Sequence, residues 1–535
     1  MDKRVIAVFT AFCFSIGALC LRLYTLSSKG TTYVVSESHY FTIDIQNIRG
    51  EILDCNGKKI VDNNYENSLI LKPTPKSLSL LEEIPQNDNL QGIKERLKKG
   101  NVVMIDIGTS YFEESDDVFA VHKSVRYSKK QLARHIIGYI NSDNRGVCGI
   151  EKSFDELLYT GKTQQVRFTA DAYGRIISGV KTEKLNFGIP TGYVQLTLDS
   201  RIQQAAETAF DSFNISEGGA VVLDVQTGAI RAMLSRPDFD TDNLAEYLDM
   251  ESAPLVNRAL NAYAVGSVFK AVVAASALEH GINDFYYTCT GMCNVDGTVF
   301  GCNNHKVHGE LNMQKALECS CNTYFINLAQ KLGGETLLET AGKLGLGEEI
   351  ELADGLISKS GQLPTTESLK KTGALANFSF GQGDFTATLL QMAQVFTAIA
   401  NKGQYITPYL VEKTVTEDTI ENDHRKQYPV IALSESTSKR LTEMLTSVVE
   451  NGNAKKAKLS NGISAAGKTA TAQTGAYGKM GVEIYNTWFC GFFPSNNPKY
   501  VIVVLKQGGS SGAEDCAPVF KAIADRINGI NINDD

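Results

Sequence analysis

The sequence lacks the features that would indicate a nucleic-acid binder or a largely disordered protein. Its formal net charge is −8 over 535 residues, with neither a basic stripe nor a long run of like charges. Tracts rich in Pro, Gln or Gly and Ser are absent, and so are internal repeats. With 43% hydrophobic and 21% charged residues, the composition is that of a globular protein of two or three domains.

Histidine is scarce as well. Only seven are present, and five of them are scattered singly along the chain: His39, His122, His135, His280 and His424. No Ser-His-Asp triad is recognisable among them. If the chain is a serine enzyme, this scarcity favours a base of another residue type.

Charge is missing altogether from one N-terminal stretch. Residues 5–21 form an uncharged run that follows Lys3 and Arg4 and is closed by Arg22. Its length is at the short end of what spans about 30 Å of hydrocarbon, and the preceding basic residues predict a cytoplasmic N-terminus. The alternative is a cleaved signal peptide, but no A-x-A-like site follows the run. We therefore predict a cytoplasmic stub and transmembrane anchor over 1–26, with the rest of the chain outside the membrane.

The remainder of the chain changes character near residue 200. Residues 27–200 carry short strand-like runs separated by turn signals. Beyond them, a predicted hairpin at 218–235 and two late strands at 486–494 and 500–506 flank a mostly helical middle. Helices are predicted at 200–213 (capped by Ser200), 267–280, 312–332, 386–401, 436–450 and 516–527. The pattern predicts an α+β fold in which helices cover an antiparallel sheet.

One helical stretch places a lysine among apolar residues. Residues 262–281 read AYAVGSVFKAVVAASALEHG, and Lys270 lies one turn after Ser267 on the same helix face. Burial lowers the pKa of a lysine, so that its neutral amine can take the proton of a serine hydroxyl. The structural alternative is that Ser267 only caps the helix and Lys270 reaches the surface. A second S-x-x-K string, Ser436–Lys439, lies in a polar helix start and shows that the string alone is weak evidence.

Two further strings give the Ser267–Lys270 pair its context. Ser320 and Asn322 lie in CSCN, and Lys468 and Thr469 lie in GKTATAQTG. The order S-x-x-K, S-x-N, K-T-G is typical of penicillin-binding proteins and the related β-lactamases. Other strings carry the likeness over nearly the whole chain after the anchor: RGEILDCNGKKI (49–60), GVCGIEKSFDELLYTG (146–161), TLDSRIQQAAETAF (197–210), AVVLDVQTGAIRAMLSRPDFD (220–240) and FGQGDFTATLLQMAQVFTAIANKG (380–403). The sequence resembles class B penicillin-binding proteins.

The resemblance implies the chemistry of a D,D-transpeptidase. Ser267 would be the nucleophile that attacks the D-Ala-D-Ala carbonyl of a peptidoglycan stem peptide, with Lys270 as its general base. Ser320 and Asn322 would extend the proton network and position the substrate amide. D-Ala would leave, and an amine from a neighbouring stem would attack the acyl-enzyme. A β-lactam would acylate the same serine and be hydrolysed slowly, and no cofactor would be required for the chemistry.

The third string would complete this site. Lys468 would support Ser320 and, with the hydroxyls of Thr469 and Thr471, hold the terminal carboxylate of the substrate. The oxyanion hole would be formed by the backbone N–H groups of Ser267 and Thr471. The chain departs from the family where a glycine usually follows the threonine, because Ala470 stands there. Its methyl would either crowd a bulky ligand or point into the domain, and we expect retained activity with altered β-lactam affinity.

The resemblance also implies how the chain is organised and what it meets. Residues 27–200 would form an extended, β-rich dimerisation or pedestal domain, and residues 201–530 the transpeptidase domain. Because nothing in the chain polymerises glycan, a polytopic glycosyltransferase is an implied partner. Two other functions stay open at this point, namely a β-lactam hydrolase or sensor with the same serine chemistry and a non-catalytic scaffold that has kept the fold.

Cysteine, in contrast to histidine, is plentiful. Eleven are present, and nine of them lie outside the predicted anchor, so they cannot all pair within one chain. Residues 289–308 read CTGMCNVDGTVFGCNNHKVH, where Asp296-Gly297 predicts the turn of a two-residue hairpin. With that turn, Val295 faces Thr298 and three cysteines share one face of the hairpin.

This segment is a candidate metal site. Thiolates and an imidazole within a short span suit tetrahedral zinc. The candidate ligands are Cys289, Cys293, Asp296, Cys302 and His305. The alternatives are a Cys289–Cys302 disulfide and free thiols. His308 is interpreted as structural, because it opens the segment that leads to Ser320.

Overall fold

The chain folds into two compact units built from interleaved segments. The structure, a computed structural model, describes residues 3–28, 39–82, 90–108, 114–171, 173, 176–177, 180, 182–189, 191–416, 419–423, 428–478 and 481–534. The first unit comprises Met1–Gln46, Glu66–Lys123 and Thr163–Gly188, and the second comprises Asn47–Tyr65, Ser124–Lys162 and Ile189–Asp535. Residues 27–200 thus contribute to both units.

The first unit is rich in short strands. One three-stranded sheet has the order Val103–Gly108, Asn64–Leu71, Val118–Val125, and another has the order His39–Arg49, Tyr159–Ala170, Glu183–Leu185. Short helices at Pro75–Leu80 and Leu90–Lys98 accompany them. Leu69, Leu71 and Val103 alternate with residues of the opposite strand face and form a small apolar core with Ile93 and Leu97 from the second helix.

The N-terminal run forms one long helix, Lys3–Ser28. It is long and apolar enough to cross a membrane, and its apolar side chains are exposed within the chain. A helix of this kind must bury its surface in lipid or in another protein.

The second unit is built on a five-stranded antiparallel sheet. Its strand order is Ile230–Arg236, Gly218–Asp224, Tyr500–Gln507, Glu483–Phe493, Ala466–Tyr477. Runs such as VIVVL in the middle strand are buried at every position, because helices cover both faces of the sheet. The predicted hairpin, both late strands and the α+β class are confirmed.

The remaining elements of the second unit are smaller. Its other helices are Arg134–Ile137, Gly149–Ser153, Asp155–Leu158, Ser200–Ser212, Lys270–Glu279, Met313–Glu318, Asn322–Leu332, Gly334–Lys343, Thr366–Leu369, Thr372–Ser379, Leu389–Ala400, Glu435–Glu450, Gly512–Asp515 and Ala517–Asp534. A mixed sheet has the order Glu51–Leu53, Tyr193–Leu196, Val411–Thr416, Thr419–Asp423. Paired short strands are Ala262–Ala264 with Thr386–Thr388, Tyr287–Cys289 with Gly309–Leu311, Met292–Val295 with Thr298–Gly301, Ile350–Ala353 with Leu356–Ser358, and Gln404–Tyr405 with Val430–Ile431.

Buried charges tie the N-terminal segments of the second unit together. Glu151 is fully buried and lies 2.7 Å from the guanidinium of Arg49 and 2.8 Å from that of Arg126. Glu207 accepts a hydrogen bond from the backbone N–H of Ala133 at 2.9 Å. A buried carboxylate needs such partners. The Glu151 contacts therefore hold the segments before residue 200 to one another, and the Glu207 contact holds them to the helix Ser200–Ser212.

Two local expectations were wrong. The helix that begins at residue 200 is capped by Asp199, whose carboxylate accepts from the Arg201 N–H, and not by Ser200. The predicted helix at 312–332 is two helices, because the chain breaks at 319–321, where Ser320 has a left-handed φ of 54°. This break places Ser320 in the candidate site.

Candidate active site

Ser267 lies in a tight turn that precedes an apolar helix. A 3₁₀ turn, Gly266–Phe269, runs into the helix Lys270–Glu279. Gly266 has φ of +63°, and a Cβ there would come within 3.0 Å of the Ala472 Cβ, so the position requires glycine. Its N–H donates to the Gly381 carbonyl at 2.8 Å. The turn is therefore held from two sides while Ser267 itself is only half-buried.

Lys270 is the first residue of that helix and is fully buried. Its ammonium donates to the Ser320 carbonyl at 2.7 Å, to Asn322 Oδ1 at 2.6 Å and to Ser320 Oγ at 3.2 Å. Burial lowers the pKa of Lys270 from 10.5 to about 8. The lysine is therefore positioned by three acceptors and is close to losing its proton at neutral pH.

The break between two helices brings the second string to Lys270. Cys319 ends the helix Met313–Glu318, the left-handed backbone of Ser320 turns the chain, and Cys321 caps the helix Asn322–Leu332. The turn points both the carbonyl and the hydroxyl of Ser320 at the ammonium of Lys270. An uninterrupted helix would have kept that carbonyl in its own hydrogen-bond ladder.

Lys468 approaches the same hydroxyl from the sheet. It lies on the edge strand Ala466–Tyr477, is fully buried, and donates to Ser320 Oγ at 3.0 Å and to the Thr469 carbonyl at 3.1 Å. Burial, and next the charge of Lys270, lower the pKa of Lys468 well below its usual value. Because Ser320 Oγ accepts from both lysines, its own proton is free to be donated towards a ligand.

The two threonines of the third string have protein partners. Thr469 is buried and its hydroxyl donates to Asn453 Oδ1 at 3.3 Å. Thr471 is exposed, and its hydroxyl accepts from the Gly512 N–H at 3.3 Å. The structure thus joins Lys270 and Lys468 through Ser320, and places both threonine side chains on the face of the strand opposite to Lys468.

Ala470 lies on the Lys468 face of the strand. It is 3% exposed, and its methyl is 3.4 Å from the position that a Cβ on Gly266 would occupy. The methyl therefore packs against the turn that carries Ser267, the inward orientation of the two considered from the sequence. Altered β-lactam affinity at this position stays a prediction.

The cysteine segment forms the predicted hairpin but a different cluster. Val295 pairs with Thr298 and Cys293 with Phe300, as the turn signal predicts. The side chains that come together are Cys289, Cys302, His308 and Cys321, whose ligand atoms all lie within 4.8 Å of one another. The structure therefore brings Cys289 and Cys302 of the predicted set together with His308 and Cys321, and leaves Cys293, Asp296 and His305 outside this cluster. His308, interpreted from the sequence as structural, is one of its members.

Each excluded residue has another environment. Cys293 packs with Phe300 and Phe380 beside the small apolar cluster of Ile326. Asp296 accepts a short hydrogen bond from the Thr372 hydroxyl at the hairpin tip. His305 ends a 3₁₀ turn after the hairpin.

Two cluster members, His308 and Cys321, lie on elements other than the hairpin. Strand Gly309–Leu311 pairs with Tyr287–Cys289, which brings His308 Nδ1 to 3.4 Å from Cys289 Sγ. Cys321 stands between Ser320 and Asn322, and its Sγ is 3.6 Å from that of Cys302. The signal available in the sequence was the S-x-N string, which has a cysteine as its middle residue.

Hydrogen bonds within the cluster favour the thiolate form of Cys302. Cys302 accepts hydrogen bonds from the thiol of Cys321 and from nearby groups at the start of the helix Asn322–Leu332, and these lower its pKa; the same bond raises the pKa of Cys321. Cys321 also accepts from the Tyr324 N–H at 3.4 Å. The first-turn N–H groups of a helix stabilise an anion at that end. Hydrogen-bond donors are thus already directed at two of the sulfur atoms that would bind a cation.

Comparisons with known proteins identify the family of this chain. A family model described as the penicillin binding protein transpeptidase domain matches residues 218–525. The chain belongs to this family. Stage V sporulation protein D of Bacillus subtilis is 29% identical over 493 residues, which cover 85% of this chain and 73% of that protein. Peptidoglycan D,D-transpeptidase MrdA of Escherichia coli is 26% identical, over 95% of this chain and 92% of that one.

A solved structure has the same fold. The crystal structure of a D,D-transpeptidase domain of a peptidoglycan glycosyltransferase from Eggerthella lenta matches with a TM-score of 0.66 at 25% identity, covering 91% of this chain and 99% of that one. The identification of a class B penicillin-binding protein from the sequence is confirmed, and so is the fold that the resemblance implied.

Proposed function

We propose that this penicillin-binding protein is a peptidoglycan D,D-transpeptidase that works through an acyl-enzyme on Ser267. The observation that carries the proposal is the buried ammonium of Lys270, held by Ser320 and Asn322 one turn after a half-buried serine. A lysine with a pKa of about 8 is a competent base for a serine hydroxyl. Membership of the family supports the same chemistry.

In the proposed reaction, each of these groups has a role. Neutral Lys270 takes the proton of Ser267 Oγ as the oxygen bonds to the carbonyl carbon between the two D-Ala residues. The backbone N–H groups of Ser267 and Thr471 would stabilise the oxyanion. The proton passes from Lys270 through Ser320 Oγ to the leaving nitrogen. The C–N bond then breaks, D-Ala departs, and the acyl group remains on Ser267 Oγ as an ester. An amine of a second stem then attacks the ester, and its proton returns to Ser267 Oγ by the same route.

Covalent labelling tests the proposal. We expect purified protein to form one stable adduct with benzylpenicillin, mapped to the peptide that contains Ser267, and to release D-Ala while joining two stem peptides. A stable adduct elsewhere, or none, would contradict the assignment and favour a non-catalytic scaffold. Rapid loss of the label would favour a β-lactam hydrolase.

The acylation rate should depend on pH in one direction. Since the base is neutral Lys270 with a pKa of about 8, the rate should rise about tenfold per pH unit below pH 8 and level off above it. Burial disfavours the charged form, so acylation is lost as pH falls through this pKa. The measurement is the second-order acylation rate constant with a chromogenic cephalosporin across this pH range. A rate that does not change with pH would rule out Lys270 as the proton acceptor in the free enzyme.

We further propose that the chain is a single-pass protein of the cell membrane. The helix Lys3–Ser28 would cross the bilayer, with the transpeptidase domain on the outer side, antibiotic-accessible and next to its peptidoglycan substrate. Residues 27–200 would act as the pedestal, and a polytopic glycosyltransferase would supply the glycan strands. The exposed apolar surface of the helix supports the anchor.

We also propose that Cys289, Cys302, His308 and Cys321 hold a structural zinc ion. Zn–S bonds of about 2.3 Å in a tetrahedron place two sulfurs about 3.8 Å apart. The Sγ atoms of Cys289 and Cys302 are 3.7 Å apart, and those of Cys302 and Cys321 are 3.6 Å apart. A disulfide requires about 2.05 Å, so the geometry favours a shared metal over the disulfide alternative.

The surroundings of the cluster support a metal in a closed, structural site. All three thiols are buried. The Thr323 hydroxyl donates to Cys289 Sγ at 3.2 Å, which is how ligands of a metal are usually oriented. Four protein ligands leave no position for a substrate, so the zinc would take no part in the acylation. It would pin the turn at Ser320.

A further inference from the structure

The hairpin formed by Met292–Val295 and Thr298–Gly301, called the brace here, contacts the candidate catalytic residue Asn322 directly. The catalytic group is defined as Ser267, Lys270 and Asn322. The Gly301 carbonyl accepts from Asn322 Nδ2 at 3.0 Å, and Asn322 Oδ1 accepts from Lys270 at 2.6 Å. An asparagine amide has one oxygen and one NH2 group, so a bond that fixes the NH2 group also decides that the oxygen faces the lysine. The brace thereby fixes the orientation of the Asn322 amide, so that its Oδ1 accepts the hydrogen bond from Lys270.

A second contact of the brace leads to the serine. The ring of Phe300 meets that of Phe380 edge to face, with centroids 6.5 Å apart. The next residue, Gly381, accepts from the Gly266 N–H at 2.8 Å, and Gly266 immediately precedes Ser267. The segment that carries Phe380 and Gly381 is thus in contact with the brace on one side and with the serine turn on the other.

The turn and the strands of the brace both contact the helix Thr372–Ser379. At the tip, the Thr372 hydroxyl donates to the Asp296 carboxylate, and Thr372 begins the helix Thr372–Ser379. In the body, Val295 is buried against Ile326 and Ala376. The other face of the brace is solvated, with Val299 61% exposed.

We propose that Phe300 is a positioning residue for acylation, because its packing on Phe380 keeps the two halves of the catalytic group in register. One half is Lys270 with Asn322, held through Gly301. The other half is Ser267, held through Gly381 and Gly266. Removing the ring uncouples the brace from the serine turn, and displacements of about 1 Å in such a group cost up to about a hundredfold in rate.

The experiment compares three variants in the full-length protein. Phe300→Ala should lower the first-order acylation rate constant for benzylpenicillin about tenfold, while the dissociation constant of the initial complex changes little. Phe300→Leu, which keeps apolar contact with Phe380, should recover most of the rate. Val299→Ala, on the solvated face of the same strand, is the matched control and should acylate as the parent does.

Two further measurements separate positioning from general damage. In an Asn322→Ala background, Phe300→Ala should add little, because the amide that the brace orients is already absent. If Phe300→Ala fails to fold, Thr372→Val takes its place. This variant removes the hydrogen bond at the tip of the brace by a change outside the brace, and it should also slow acylation. Equal acylation by Phe300→Ala and the parent, or full additivity with Asn322→Ala, overturns the proposal.

The proposal rests on acylation at Ser267, so a readout that does not need chemistry is included. Hydrogen exchange at residues 266–270 and at 372–381 should speed up in Phe300→Ala and stay unchanged in Val299→Ala. If the parent never acylates but exchange responds in this way, the proposed function fails and the positioning stands. If the parent acylates and exchange is unchanged in Phe300→Ala, the positioning fails alone.

Discussion

Replacing Lys270 by alanine is expected to lower the acylation rate constant with penicillin by a factor of about 10³ to 10⁴. The change removes the only group seen to bind both Ser320 and Asn322 in the described part of the chain, one turn from Ser267. Without it, the serine proton has no acceptor, and Asn322 Oδ1 loses its donor. The measurement is the rate of covalent adduct formation by intact-protein mass spectrometry.

The chain supplies its own control for this variant. Lys439 ends the second S-x-x-K string, in the polar first turns of the helix Glu435–Glu450, and is exposed. Lys439→Ala should therefore acylate at the parental rate. A loss of less than about tenfold in Lys270→Ala would contradict the assignment of the base. A comparable loss of acylation rate in Lys439→Ala would show that the loss does not depend on the burial of the lysine.

Removing the metal is expected to be the largest perturbation of stability. Purified protein should contain about one equivalent of zinc, and chelation should lower the melting temperature by roughly 5–10 °C. Acylation should fall together with stability, since Cys321 stands between Ser320 and Asn322 and caps the helix that begins there. The measurements are elemental analysis and thermal unfolding before and after chelation.

Single cysteine variants make the zinc prediction specific. Cys302→Ser should lose the metal, because the Cys302 sulfur lies 3.7 Å from that of Cys289 and 3.6 Å from that of Cys321. Cys293→Ser is the matched control, since Cys293 lies on the same hairpin but outside the cluster. Less than about a tenth of an equivalent of zinc in carefully purified protein, or a mass lower by two hydrogens that maps to a Cys289–Cys302 disulfide, would contradict the proposal.

The parts of the fold that the sequence predicted are those with local signals. Short apolar runs rich in β-branched residues, such as residues 500–506, favour buried strands, and Asp296-Gly297 predicts the hairpin register from turn chemistry. Helical spacing also places Lys270 one turn after Ser267. The three strings identified the family because together they are far more specific than any one of them.

What the sequence did not predict depends on contacts between distant segments. The pattern of residues 312–332 predicts one helix. The helix breaks at Ser320, where the turn directs the Ser320 carbonyl at Lys270 and places Cys321 in the sulfur cluster. The predicted metal set differs from the cluster in the structure for a similar reason, since a period-two argument considers one hairpin and does not include His308 or Cys321, which lie on other elements. The interleaving of the two compact units is also invisible to local composition.

The strand order of the central sheet has a consequence for how the chain is made. The middle strand, Tyr500–Gln507, lies between the hairpin that starts at Gly218 and the hairpin that carries Lys468. Until residue 507 has been synthesised, these are two separate hairpins with open edges, a state prone to mispairing. Pairing over such sequence distances is also slow. Lys468 can therefore reach Ser320 only after residue 507 has been synthesised, so a chain truncated before that strand would be inert.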